Sequence, residues 1–181
     1  MAEQRDFDKL WNYDDPAGTE KKFRELLSKA EKGKDEEYYI ELLTQLARTQ
    51  SLQRKFDEAH EILDKAMKQL KPEHIVPRIR FMLERGRTYN SSKVYDKARE
   101  LFLAAYMQAD KYEEDNLAID AVHMLGIVDK DEESLKWNEL AIQMAEDTED
   151  EKAKGWLGAL YNNTGWTYHD MGEYDKALEL F

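Results

Sequence analysis

The stretch YNNTGWTYHDMGEYDKALELF, residues 161–181, decides the fold. In it Tyr168 follows Gly165 by three residues, Ala177 follows Gly165 by twelve, and Phe181 stands four beyond Ala177. A four-residue spacing puts Ala177 and Phe181 on one helical stripe. Two earlier segments repeat the second half of this pattern, FDEAHEILDKA (56–66) and YDKARELFLAA (95–105). Each has an aromatic residue, an aspartate and then an alanine three residues after the aromatic: Phe56 and Ala59, Tyr95 and Ala98, Tyr174 and Ala177. Small or apolar residues follow four and seven positions beyond the alanine, Leu63 and Ala66, then Phe102 and Ala105. The aromatics lie 39 and 79 residues apart, and 79 is close to twice 39, so a degenerate copy belongs between them. It is DEESLKWNELAIQMA (131–145), with Ser134 at the alanine position and Ala141 seven residues later. Asn138 stands there in place of a bulky apolar residue, and packing is expected to shift to Leu135 or Trp137.

A second helix precedes each copy. Twelve residues before the key alanine lies a small residue, Ala47, Gly86 or Gly165, because two helices crossing closely leave no room there for a large side chain. In the third copy Gly126 precedes Ser134 by only eight residues, and the missing four amount to about one helical turn. This pattern resembles the tetratricopeptide repeat, W-x2-L-G-x2-Y followed by A-x3-F. The fourth copy fits best, with Tyr161, Gly165, Tyr168, Ala177 and Phe181, and the first departs most, with Leu43, Leu46 and Ala47 but Gln50 where an aromatic is expected. The resemblance covers residues 35–181. Repeats of this length exceed the usual ~34 residues, which implies helices longer by a turn or more. It implies an all-α fold: a right-handed superhelical stack of antiparallel helix pairs, four in 35–181, the last cut short at Phe181.

Residues 1–34 read as a capping segment over the first pair, which a solenoid needs because its end helices otherwise expose a core face. In DDPAGTEKKFRELLSKAEKG, Asp15 is the expected N-cap, Pro16 the first helical residue and Gly33 the terminator. Phe23, Leu26, Leu27 and Ala30 form the apolar stripe, and DFDKLWNY ahead of them adds a short helical turn. Because the pattern breaks off at Phe181 without further turns, the last pair is expected to be incomplete and sticky. That points to a piece of a longer protein, or to a terminus completed by a partner.

Composition sets the exclusions. The chain has 181 residues, three prolines, eight glycines and no cysteine, which favours helices and leaves no disulfide, thiol nucleophile or cysteine zinc site. A net charge of −12 opposes nucleic acid and anionic membrane surfaces. No run of about 18 apolar residues occurs, and the start MAEQRDFDKLW lacks the features of a signal peptide, so the expected location is cytoplasmic. His60 and Asp64 share a helical face beside Glu61, but no second histidine completes a zinc motif, and an exposed face is expected. His169–Asp170 has no nucleophile, while His74 and His123 are isolated in the sequence. No phosphate loop or nucleophile elbow is present. Neither an enzyme nor a bound cofactor or metal is expected.

On the first helix of each pair, the face opposite the core would line the concave surface of a tetratricopeptide solenoid. It holds Glu41, Thr44, Gln45 and Arg48; then Arg80, Leu83, Glu84 and Arg87; then Asp120, His123, Met124 and Ile127; then Ala159, Asn162, Asn163 and Trp166. The expected peptide-binding residues are Arg48, Arg80 and Arg87, whose forks grip carboxylates, and Asn162 and Asn163, whose amides hold an extended backbone, with Trp166 beside them. Arg48 and Arg87 also lie within reach of Glu41 or Glu84. The stretch YNNTGWTY resembles the asparagine-lined grooves of kinesin light chain and of the bacterial Rap-type peptide receptors. The basic clamp of chaperone-tail co-chaperones is absent, since its places hold Thr44, Arg48, Glu84, Asp120 and Met124. The expected function is a non-catalytic scaffold binding a partner protein or peptide, an acidic segment above all, in the groove. The alternatives are a peptide-sensing regulator of the Rap-like type and an assembly subunit forming a homodimer through its solenoid ends.

Overall fold

A computed structural model describes residues 5–181, all helical or connecting. A 3-10 turn (Asp6–Leu10) leads into α1 (Pro16–Ala30), α2 (Glu36–Leu52), α3 (Phe56–Gln69), α4 (Ile75–Ser91) and α5 (Tyr95–Lys111). Then come α6 (Asp115–Val128), α7 (Asp131–Asp147), the single turn α8 (Glu151–Lys154), α9 (Leu157–Asp170) and α10 (Tyr174–Leu180). The chain divides into two compact units, one running to Leu101 and the other from Phe102, so the boundary falls inside α5.

Local chemistry sets the helix ends. Asp15 caps α1, its Oδ1 accepting from Gly18 N at 2.8 Å, with Pro16 in the first turn. α1 stops at Ala30, and Gly33 N closes the turn on the Ala30 carbonyl. Asp35 caps α2 in the same way through Tyr38 N. Three of the inter-helix turns are one motif repeated. Arg54, Lys93 and Gly172 each lie five residues before the key alanine with φ of +62°, +66° and +81°. The following residue donates back across the turn, Lys55 N to Gln50 O, Val94 N to Tyr89 O and Glu173 N to Tyr168 O, which is the Schellman closure of a helix C-terminus.

The third pair breaks that motif. α2, α4 and α9 run five residues past their small residue, whereas α6 runs only two past Gly126. The four missing residues are therefore three from the end of α6 and one from the turn, and the positive φ falls instead on Asp131 at +51°, the first residue of α7. Asn138 also differs from expectation. Trp137 packs half-buried against the core of the C-terminal unit, as expected, but Asn138 itself is also buried and fills the crossing, its Oδ1 lying 2.3 Å from where a Cβ on Gly126 would sit. Its amide reaches Thr167 Oγ1 at 3.1 Å, and Ser134 Oγ donates to the Gly126 carbonyl at 2.6 Å. A polar contact thus replaces an apolar one at the crossing of α6 and α7, and it is paid for by satisfied hydrogen bonds.

In the N-terminal unit α2 packs on α1, α3 and α4, burying Ile40, Leu43, Leu46, Leu63 and Phe81 together with Phe7 and Phe23. In the C-terminal unit α7 packs on α6 and α9, and α10 on α9, around Ile119, Val122, Ala141 and Leu160. Ala47, Ala59, Ala98 and Ala177 are all buried. Gly165 carries the ring of Phe181, since a Cβ there would stand 2.7 Å from Phe181 Cε1. Large residues at these positions would push the paired helices apart.

Candidate functional site

In the N-terminal unit the first-helix face is a surface of arginines already holding carboxylates. Glu41, only 2% exposed, lies 2.9 Å from Arg80 Nε and accepts from Arg5 Nε at 3.0 Å. Asp8 is the second acid near Arg80, at 3.8 Å. Glu84 takes Arg48 through both carboxylate oxygens at 3.2 Å and Arg87 at 2.9 Å. Burial pushes the Glu41 carboxyl above the ordinary carboxylate range, against the pull of Arg80 and Arg5. Arg5 is held above its usual value: burial works against its charge, and Glu41 and Asp35 more than restore it.

This face is also covered. Trp11 Nε1 donates to Gln45 Oε1 at 3.0 Å, and Trp11 and Tyr13 stack with ring centroids 4.8 Å apart. The Arg48 guanidinium lies over both rings, at 5.8 and 5.5 Å, and that of Arg80 lies over Phe7 at 5.7 Å. Thr44 and Gln45 are buried with Glu41. The sequence reading assigned DFDKLWNY a helical turn and missed its seat on α2 and α4. The only signal available was the alternation of charged and aromatic residues in RDFDKLWNY (5–13).

The corresponding face of α9, in the C-terminal unit, is open. Ala159, Asn162 and Trp166 form an exposed stripe, with Trp166 at 53% exposure. Asn163, half-buried beside it, places Nδ2 2.7 Å from His123 Nε2. The His123 ring lies 5.3 Å from that of Trp156, whose indole donates to Asn116 Oδ1 at 3.0 Å. Trp166 meets His169 and Phe181 edge-on, at 5.3 and 5.5 Å. Phe181, Tyr174 and Leu178 are themselves more than half exposed.

The remaining candidates from the sequence are engaged in packing. His60 does not face solvent; it is half-buried over Tyr89, ring centroids 4.6 Å apart, and burial together with Arg85 lowers its affinity for a proton. Asp64 is held by Arg85. His74 is buried at the start of α4, its Nδ1 accepting from Lys71 N. A cleft of about 340 Å³ gathers Asp129, Asp131 and Asp170 around Ser134, but that hydroxyl is donated to the Gly126 carbonyl. Among the described residues no group of three or more His, Asp or Glu side chains is placed to hold a metal ion, and no helix is long and apolar enough to cross a membrane.

Residues 88–111, the end of α4 and all of α5, match the family model described as tetratricopeptide repeat. Two solved structures share the fold. BtubC (BKLC) from P. vanneervenii aligns with a TM-score of 0.71 at 15% identity over 92% of this chain and 70% of its own. The apo form of RapI aligns with a TM-score of 0.67, also at 15% identity over 92% of this chain, which spans 47% of its length. No sequence among curated proteins matches the chain. The fold is that of the tetratricopeptide-like helical repeat proteins.

Proposed function

We propose that this chain, a tetratricopeptide-type helical repeat protein, is a non-catalytic interaction scaffold that holds a segment of a partner protein against the groove face of its first helices, the face turned away from the core. The observation that carries this reading is the open stripe of α9, where Trp166 and Asn162 stand exposed next to Asn163 on a rigid helix. An indole supplies apolar area at small entropic cost, and carboxamides pair with the donors and acceptors of an extended backbone. In the N-terminal unit, taken by itself, Arg48, Arg80 and Arg87 favour an acidic segment, which has to compete there with Glu84 and Glu41. Little ordering cost falls on the scaffold, because its helices are formed before the partner arrives. The setting we assign is cytoplasmic.

The test is selection of peptides from a random display library on the immobilised chain, followed by titration. Trp166→Ala and Asn163→Ala should each weaken the selected peptides about tenfold or more, with the circular dichroism melt unchanged. Unchanged affinity in both variants would remove α9 from the site. A second reading, self-association through the α9–α10 end, is favoured by the exposure of Tyr174, Leu178 and Phe181. It predicts a concentration-dependent dimer by light scattering that Leu178→Glu abolishes. The resemblance of YNNTGWTY to the bacterial Rap-type peptide receptors supports a further reading, a regulator that changes shape on binding a peptide, and X-ray scattering with and without a selected peptide would report it.

A further inference from the structure

The face of α2 and α4 is occupied by residues 5–13 of the same chain, in the manner of a bound peptide. The segment meets α2 and α4 through side chains: Arg5 on Glu41, Glu37 and the α2 cap Asp35, Asp8 and Phe7 on Arg80, Phe7 also on Tyr38, Trp11 on Gln45, and Trp11 with Tyr13 on Arg48. The only regular structure in the segment is the 3-10 turn Asp6–Leu10. Within the segment Asp8 N bonds Arg5 O, and its C-terminal end is tied to α1, Asn12 N donating to Thr19 Oγ1 at 3.1 Å and that hydroxyl donating to the Asn12 carbonyl at 3.2 Å. The outer end is loosely covered, with Tyr13 60% exposed; Phe7 is fully buried against Phe23, centroids 6.3 Å apart, and Leu10 and Trp11 pack half-buried on the same core.

The face does not need the segment in order to persist. Arg80–Glu41 and Arg48–Glu84 run directly between α4 and α2, so both pairs remain when residues 5–13 leave. A receptor surface held by its own cross-helix pairs and covered by a short, side-chain-tethered segment is arranged for exchange. Segments of this kind, with little regular structure, open at much lower cost than packed helices.

We propose that residues 5–13 are a displaceable internal ligand of the α2–α4 face, and that the partner replacing them is a peptide of the same chemistry. That chemistry is an aromatic followed by an acid, with two further aromatics four and six residues after the first, as in Phe7, Asp8, Trp11 and Tyr13. The proposal rests on the scaffold reading above and adds the ligand class and its control: affinity for an external peptide is reduced by the fraction of time the internal one is seated. Arginine faces provide ion pairs and cation–π contacts together, which is what such a segment uses.

The test uses the full chain and the double variant Arg5→Ala/Asp8→Ala, which loosens the segment while leaving Phe7, Trp11 and the Glu41–Arg80 pair in place. The probe is a fluorescein-labelled peptide of residues 5–14, RDFDKLWNYD, followed by anisotropy. The variant is expected to bind it about tenfold or more tighter than the wild type. In the wild type, the amides of residues 7–13 should exchange with solvent faster than those of α2. Trp11→Phe, which removes the bond to Gln45 and reduces the ring area against Tyr13 and Arg48, is the second loosened chain should the double variant fold poorly. Equal affinity in wild-type and loosened chains overturns the proposal, as does exchange at residues 7–13 no faster than in α2. If the probe fails while library peptides still bind at Trp166, the displacement falls and the scaffold stands. If no peptide of either kind binds any form, both fall.

Discussion

The first-helix faces of the two units carry the same positions in the repeat and have opposite fates. On α2 and α4 Arg48, Arg80 and Arg87 are matched to buried carboxylates, and aromatic side chains overlie Arg48 and Arg80. On α9 the indole and the first amide stand in solvent. A charged face does not advertise its own availability. Basic residues at a groove position are a binding surface only while their counter-charges are supplied from outside, and here Glu41 and Glu84 supply them from within.

The comparison can be broken most forcefully at Glu41. Glu41→Ala leaves Arg5 and Arg80 facing one another in a buried site, and the N-terminal unit should lose about 3–5 kcal/mol, read as a lowered urea midpoint. Arg80→Met in the same background should recover part of that loss, because it removes one of the two stranded charges. Gly126→Ala comes next. The new methyl would meet Asn138 Oδ1 at 2.3 Å, so the carboxamide must move and its bond to Thr167 be given up, at a cost of about 1–3 kcal/mol in chemical denaturation of the C-terminal unit.

Acid should act on the N-terminal unit through Glu20. Burial opposes its ionisation, yet hydrogen bonds from Gln53 and Arg24 bring its pKa down from 4.5 to about 2. Since the folded value is the lower one, the unfolded chain takes up the proton first as pH falls. The stabilisation is complete above about 4.5 and is lost on the way down to about 2. Glu20→Gln should therefore flatten part of the acid slope of the urea midpoint while leaving that slope near neutrality unchanged. The smallest effect belongs to the open face. Trp166→Ala should change stability by about 0.5 kcal/mol or less, even as it weakens peptide binding. A loss of several kcal/mol there would mean that α9 is covered as α2 is.

Much of this was legible in the sequence. Ala59, Ala98 and Ala177 at fixed distance from Ala47, Gly86 and Gly165 mark the helix pairs, because a close helix crossing tolerates only small residues whatever surrounds it. The capping residues Asp15 and Pro16 act within one turn and are readable for the same reason. The shortened third copy was legible in outline, as four missing residues, though not which end of α6 had lost them. Asn138 misled because a carboxamide is read as a poor core residue until its partners are known, and Thr167 lies 29 residues away.

Composition and periodicity by themselves determined the class of the fold and the small-residue crossings of its helix pairs, since these depend on neighbours within a few turns. Only the tertiary structure decided which polar face is free. Arg5 and Glu41 are 36 residues apart and Trp11 and Gln45 34, and no local pattern encodes such a meeting. The exposure of a side chain is a property of whatever else arrives at it, and that is settled by the path of the whole chain.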